Sequence, residues 1–326
     1  MTRIYATIRK KAVTLPDIMG MRLRKQTTNM ATNSFKGLGV ALITPFKANG
    51  DIDFNALRRL VDYQLHSGVD FMCIMGTTAE TPTLSADEKK ELKSRLVEQI
   101  GGRVPILMGC GGNNTRAICG ELRDGDWRGI DGVLSVCPYY NKPSQEGLYE
   151  HFKAISQASP VPVVLYNVPG RTGVNMDAKT TLRLAREFDN IVAIKEASGN
   201  ITQMDDIIKN KPQGFDVISG DDGITFPLIT LGAVGVISVI GNALPAEFSR
   251  MVRLALRGDY NGALHIHHKF AELFKLLFVD GNPAGVKAML HAMGMIENQL
   301  RLPLVPTRLT TMEQISGIIK DLGIKY

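Results

Sequence analysis

Val161-Pro162-Val163-Val164-Leu165-Tyr166-Asn167 is followed by the amphipathic stretch Ala178–Phe188 and then by Ile191-Val192-Ala193-Ile194-Lys195. A β-branched apolar run, a segment whose apolar residues recur every three or four positions, and a second apolar run make one strand–helix–strand unit. Near-continuous apolar runs belong to strands buried on both faces, the condition of a parallel sheet covered by helices.

The same rhythm extends in both directions. Leu38–Thr44, Val69–Met75, Val104–Gly109 and Gly132–Cys137 are strand candidates before this unit, and Asp216–Ser219 and Val234–Val239 follow it. Helical patterns such as Asn55–His66 and Ala86–Ile100 lie between them, the latter opened by Ser85 with Glu88 three residues on, a capping box. Repeated units of this kind fit an α/β fold of the closed (β/α)8 TIM barrel type better than an open doubly wound sheet. After Val239 only helical patterns remain: Ala246–Arg257, Tyr260–Phe278, Pro283–Met293 and Met312–Leu322. The expected division is a basic N-terminal extension at 1–34, a catalytic barrel at 35–258 and an appended C-terminal helical domain at 259–326.

The chain of 326 residues carries 44% hydrophobic and 21% charged side chains. That balance fits a globular protein with one large core and excludes disordered, collagen-like and small disulfide-stapled chains. The formal net charge is +6, but Arg3, Arg9, Lys10, Lys11, Arg22, Arg24 and Lys25 face Asp17 alone in residues 1–29, and the remainder is neutral. The excess sits in a tail, so neither nucleic acid nor an anionic membrane is expected as a partner of the folded body. No apolar run approaches the roughly 20 residues that span a bilayer, and the N-terminus lacks the apolar core of a secretory signal. A cytoplasmic protein is expected. Residues 1–34 are basic and acid-poor like an organelle transit peptide, while Met21 and Met30 offer later starts, of which Met30 is the expected one. Cys73, Cys110, Cys119 and Cys137 lie singly in or beside apolar runs, the pattern of reduced, buried thiols.

In a barrel of this kind the reacting groups stand at the C-terminal ends of the strands. There the sequence places Thr44, Gly76-Thr77-Thr78-Ala79-Glu80, Tyr139-Tyr140-Asn141, Tyr166-Asn167, Lys195-Glu196 and Gly220-Asp221-Asp222. Hydroxyls, phenols and one lysine converge without a histidine or a carboxylate cluster, a set wrong for a Ser-His-Asp nucleophile or metal-assisted hydrolysis. Lys195 ends an apolar strand, where burial disfavours the ammonium form. A neutral amine there condenses with a ketone or aldehyde, and the iminium serves as an electron sink. The plainer alternative is an ion pair with Glu196 or Asp221. Tyr166 closes the adjacent strand, and its phenol can move protons with help from Thr77 or Thr78. The threonines serve equally as caps, and Tyr139 and Tyr140 equally as interface packing. Consecutive N–H groups of Gly76-Thr77-Thr78 suit a carboxylate. Arg171, in the loop Val168–Gly173, suits a second one unless it is simply solvated. The run His265-Ile266-His267-His268 has no carboxylate at a matching helical position and reads as packing or surface.

The motifs GTTAE (Gly76–Glu80), CPYYNKPSQEGLYEHF (Cys137–Phe152), YNVPGRTG (Tyr166–Gly173), IKEASGN (Ile194–Asn200) and SGDD (Ser219–Asp222) occur in this order at the strand ends. With them the chain, from about Phe35 to its C-terminus, resembles the pyruvate-dependent class I aldolases and lyases of the dihydrodipicolinate synthase and N-acetylneuraminate lyase group. The resemblance implies that Lys195 forms the Schiff base with pyruvate and that Tyr166 is the proton donor and acceptor. It implies that Thr78 and Tyr140 complete a proton relay, with Tyr140 entering the neighbouring subunit's site in a tight dimer, usually within a homotetramer. Thr77 and Thr78 would hold the pyruvate carboxylate, and Gly220 and the Ile237 backbone would line the imine pocket. Arg171 would bind the carboxylate of L-aspartate 4-semialdehyde. The implied reaction condenses these two substrates to 4-hydroxy-tetrahydrodipicolinate and needs neither metal nor organic cofactor. Arg171 in the R-T-G position argues against the runner-up, an aldolase releasing pyruvate from a 2-keto-3-deoxy sugar acid or from N-acetylneuraminate. A catalytically silent keto-acid sensor is a third reading, against which the complete relay stands.

Two features depart from the family pattern. Ala79 replaces the usual glycine of GTTGE, a methyl that retunes the carboxylate loop and alters its turn where φ is positive. Ala86, Lys89 and Ala117 stand where lysine-sensitive members carry imidazole and carboxylate groups, although Tyr139 and Asn113 match. Lys89 sets a positive charge against a cationic effector, and Ala117 removes an acceptor. Titration with L-lysine is therefore expected to leave turnover unchanged in the sub-millimolar range, and strong inhibition there would contradict the expectation.

Overall fold

The structure, a computed structural model, describes residues 35–324, so the extension expected at 1–34 and the question of its start lie outside the described residues. In chain order the elements are β1 (Gly37–Ala41), α1 (Phe54–His66), β2 (Phe71–Ile74), α2 (Ala86–Ile100), β3 (Ile106–Gly109), α3 (Thr115–Asp124) and β4 (Gly132–Val136). There follow α4 (Gln145–Ala158), β5 (Val163–Asn167), α5 (Pro169–Thr172), α6 (Ala178–Glu187), β6 (Ile191–Glu196), α7 (Ile201–Asn210), β7 (Asp216–Ser219), α8 (Thr225–Leu231) and β8 (Gly235–Ser238). The chain continues with α9 (Pro245–Leu256), α10 (Tyr260–Leu276), α11 (Ala284–Ala292) and α12 (Leu309–Asp321). Each strand candidate forms a strand: Asp216–Ser219 keeps its bounds, Ile191–Lys195 gains Glu196, and the others are shorter than expected because flanking residues leave the ladder. The single helical turn α5, begun by Pro169 and closed by Gly173 at φ +70°, is an addition where a loop is expected.

The strands pair in parallel and in sequence order, and β8 returns to β1, closing a (β/α)8 barrel. Alternation along each strand divides the apolar residues between two cores. Phe71, Cys73, Leu107, Val164, Tyr166, Ala193, Ile218 and Ile237 fill the barrel interior. Their strand neighbours, such as Met72, Ile194 and Val236, face the helices. Gly39 is required by the interior packing, since a Cβ there would lie 2.2 Å from the Phe71 ring. Side chains of Asp53, Ser85, Asn114, Ser144, Asp177 and Asn200 cap α1, α2, α3, α4, α6 and α7, and Ser85 with Glu88 forms the expected capping box.

The C-terminal helices cover one side of the barrel. Phe248 of α9 meets Phe274 of α10 at 5.8 Å between ring centroids. His267 of α10 packs against Phe226 and Phe274, as a packing role for the His265–His268 run requires. The four cysteines are free and buried. No helix among the described residues is long and apolar enough to cross a membrane.

One charged network fastens this helical layer to the loop after β2. Lys287 of α11 and Glu80 are fully buried and paired. Lys287 also donates to the Gln299 carbonyl at 2.9 Å, and the Arg301 backbone N–H donates to Glu80 Oε2 at 3.0 Å. The Arg301 guanidinium reaches Glu88 Oε2 at 2.8 Å, and the Phe46 ring lies beneath both cations. Burial pushes the Lys287 ammonium down to about 8 against the pull of Glu80. Removing one member of a buried ion pair leaves the other charge uncompensated, at a cost of about 3–5 kcal/mol. Lys287→Met is expected to lower unfolding stability by about that amount in a urea titration, and adding Glu80→Gln to recover part of the loss.

Candidate active site

Tyr166 and Lys195 are direct partners in the ladder between β5 and β6. Both point into the barrel, and Lys195 Nζ lies 4.3 Å from the centroid of the Tyr166 ring. Lys195 is 6% exposed and has neither a hydrogen bond nor an ion pair among the described residues. The next residue, Glu196, lies on the opposite face of the strand. Its carboxylate accepts from Asn167 Nδ2 at 3.1 Å, the Ser198 N–H at 2.8 Å and Gln203 Nε2 at 3.2 Å. Burial pushes the Glu196 carboxyl above its ordinary range, against those donors. Asp221 accepts instead from the Gly223 N–H at 2.8 Å. Neither carboxylate that competes for Lys195 in the sequence reaches it.

The surroundings of the amine are apolar and close. Burial pushes the Cys73 thiol up to about 11, with the charge of Lys195 opposing. A Cβ at Gly220 would stand 3.1 Å from Lys195 Cε and 2.7 Å from Ala197 Cβ, so a side chain at that position would press on the lysine stem. Ile237, 1% exposed, shares the interior cluster with Tyr166.

After β2, Thr77–Ala79 forms one 3₁₀ turn in which the Ala79 N–H donates to the Gly76 carbonyl and the Glu80 N–H to that of Thr77. The N–H groups of Thr77 and Thr78, at the head of the turn, keep no backbone partner among the described residues. The Thr44 hydroxyl, three residues past the end of β1, donates to the Ala79 carbonyl at 2.8 Å and fixes the turn. The left-handed residue here is Glu80, at φ +55°, and not Ala79, so the extra methyl leaves the turn unstrained. Thr77 is exposed and Thr78 is buried. Thr78 Oγ1 accepts from Asn282 Nδ2 at 2.9 Å.

Arg171, on α5, is exposed, and its Nη2 donates to the backbone carbonyl of Asn282 at 3.5 Å. Of the three tyrosines at the strand ends, Tyr166 is buried in the barrel interior, whereas Tyr139 is 43% and Tyr140 89% exposed. Tyr140 has left-handed backbone, φ +75°.

Asn282 escaped the sequence reading, and Asp222 has contacts that its motif did not disclose. Asn282 lies in a short connection between helices, where no period or motif marks it, yet it touches both Thr78 and Arg171. Asp222 is part of a quoted motif, but its role is structural: buried, it accepts from the Val239 and Ile240 N–H groups at 3.1 and 2.8 Å and so joins the end of β8 to the loop after β7. Burial pushes its carboxyl up to about 6.

Comparison with known proteins agrees with this geometry. The sequence profile described as the dihydrodipicolinate synthetase family matches residues 34–322. The 4-hydroxy-tetrahydrodipicolinate synthase of Phocaeicola vulgatus is 69% identical over 296 residues, covering 91% of this chain and 100% of that one. Its counterpart in Parabacteroides distasonis is 66% identical over the same shares. Among solved structures, the chloride-inhibited dihydrodipicolinate synthase of Acinetobacter baumannii in complex with pyruvate superposes with a TM-score of 0.86 at 39% identity, covering 89% of this chain and 100% of that one. A barrel with a buried, unpaired lysine beside a tyrosine, matched along almost its whole length, places this chain in the dihydrodipicolinate synthetase family.

Proposed function

We propose that this chain condenses pyruvate with L-aspartate 4-semialdehyde to 4-hydroxy-tetrahydrodipicolinate, the activity for which its relatives are named, and that it serves lysine and diaminopimelate biosynthesis in the cytoplasm. The observation that carries the reading is Lys195: a buried amine with no ion partner, beside a phenol, at the C-terminal end of a central strand. The amine adds to the pyruvate carbonyl and water leaves, giving the imine. The protonated imine loses a methyl proton to the Tyr166 oxygen, whose own phenolic proton passes on to the relay, and this gives the enamine; its carbon attacks the aldehyde of the second substrate, and the new alkoxide takes a proton back from the Tyr166 phenol. The amino group of that substrate then attacks the imine carbon, closing the ring and releasing Lys195.

The free N–H groups of Thr77 and Thr78 suit the pyruvate carboxylate, with Gly220 and Ile237 shaping the space around the imine. Arg171, exposed at the rim, suits the carboxylate of the aldehyde. The hydroxyls of Thr77 and Thr78 suit the proton relay that serves Tyr166. Tyr140, turned outward, suits a group donated to the neighbouring subunit, so we assign a homotetramer built from tight dimers. No step calls for a metal or an organic cofactor.

The discriminating assay offers the enzyme pyruvate with aspartate semialdehyde and, separately, 2-keto-3-deoxy sugar acids. Condensation in the first and no cleavage in the second is expected, and the reverse would overturn the assignment. Tyr140→Phe is expected to lower turnover by about 100-fold with folding intact. An unchanged rate would remove Tyr140 from the relay.

A further inference from the structure

Asn282 carries a feature that stability alone does not account for. It is 7% exposed, and its side-chain carbonyl Oδ1 is buried without a hydrogen-bond partner. A buried acceptor left unpaired is a liability that an apolar side chain of the same shape would remove. The other end of the amide donates to Thr78 Oγ1 at 2.9 Å. A hydroxyl has one hydrogen to give. With Asn282 supplying a donor to Thr78 Oγ1, the hydroxyl has no call to act as donor toward the helical layer, and its hydrogen is directed toward the barrel mouth. The backbone carbonyl of the same residue receives Arg171 Nη2, so Asn282 meets both ends of the site.

We propose that Asn282 is a positioning residue: it sets the direction of the Thr78 hydroxyl so that this group donates to the keto-acid carboxylate. The assignment rests on the reading of Lys195 and pyruvate given above. It also makes the C-terminal helical layer a part of the site, because the residue that orients Thr78 comes from the connection between α10 and α11. The side chain acts at the keto acid, whereas only the backbone acts at Arg171, so substitution separates the two substrates.

The test uses the full chain, borohydride trapping of pyruvate at Lys195, and steady-state kinetics. Asn282→Leu removes the donor, and Asn282→Asp, of equal size, replaces it with an acceptor that claims the Thr78 hydrogen. Both are expected to raise the half-saturating pyruvate concentration by about tenfold, the worth of one hydrogen bond to a charged group. The KM for aspartate semialdehyde should stay near that of the wild type. Asn282→Leu should melt at or above the wild-type temperature, since the unpaired carbonyl is gone. In a Thr78→Val background Asn282→Leu should add nothing further to the pyruvate effect. Unchanged half-saturation in both variants, or a lower melting temperature with normal half-saturation in the folded fraction, would assign Asn282 a structural role and overturn the proposal. Absence of any pyruvate adduct in the wild type would overturn the underlying reading as well.

Discussion

The two-residue period of a β-strand decides the surroundings of Lys195. Lys195 and Glu196 are adjacent, and in a loop they would neutralise one another. On β6 they face opposite sides of a closed sheet, the lysine inward and the glutamate toward the helices. Closure of the barrel removes any edge around which the two could meet. The amine is thus left among apolar walls with a phenol beside it, and the carboxylate is satisfied by the donors of Asn167, Ser198 and Gln203. Tyr166 reaches Lys195 for the same reason, as its register partner on the next strand.

A second buried lysine shows what the alternative looks like. Lys287 is enclosed more completely than Lys195, but it has Glu80 and the Gln299 carbonyl as partners. One lysine holds the helical layer to the barrel, and the other stands without an ion partner among the described residues. The Glu80 that pairs with Lys287 follows directly on the turn carrying Thr77 and Thr78. The geometry of that turn is therefore set from outside the barrel, by α11 and Arg301, as well as from within by Thr44.

The barrel was legible because its strands are buried on both faces and so appear as apolar runs, and because its helices carry their own caps. Lys195 and Tyr166 were legible for a related reason: a polar residue that ends an apolar strand stands out. What the sequence left open was pairing. Glu196 and Asp221 compete for Lys195 when only spacing is known, and strand alternation settles the matter. The exposure of Tyr139 and Tyr140 and the left-handed backbone at Tyr140, a rare state for a tyrosine, leave no mark in composition or period. Asn282 and Lys287 stayed hidden because each acts across more than 200 positions in the chain, through contacts that only the packing of the C-terminal layer creates.

The central claim is that freedom from an ion partner, rather than burial, makes one of two buried lysines the reactive one. Treatment of the full chain with pyruvate and borohydride, followed by peptide mapping, tests it most directly. A reduced pyruvyl adduct on the peptide carrying Lys195, with Lys287 unmodified, is the expected result; an adduct on Lys287, or none on Lys195, would contradict it.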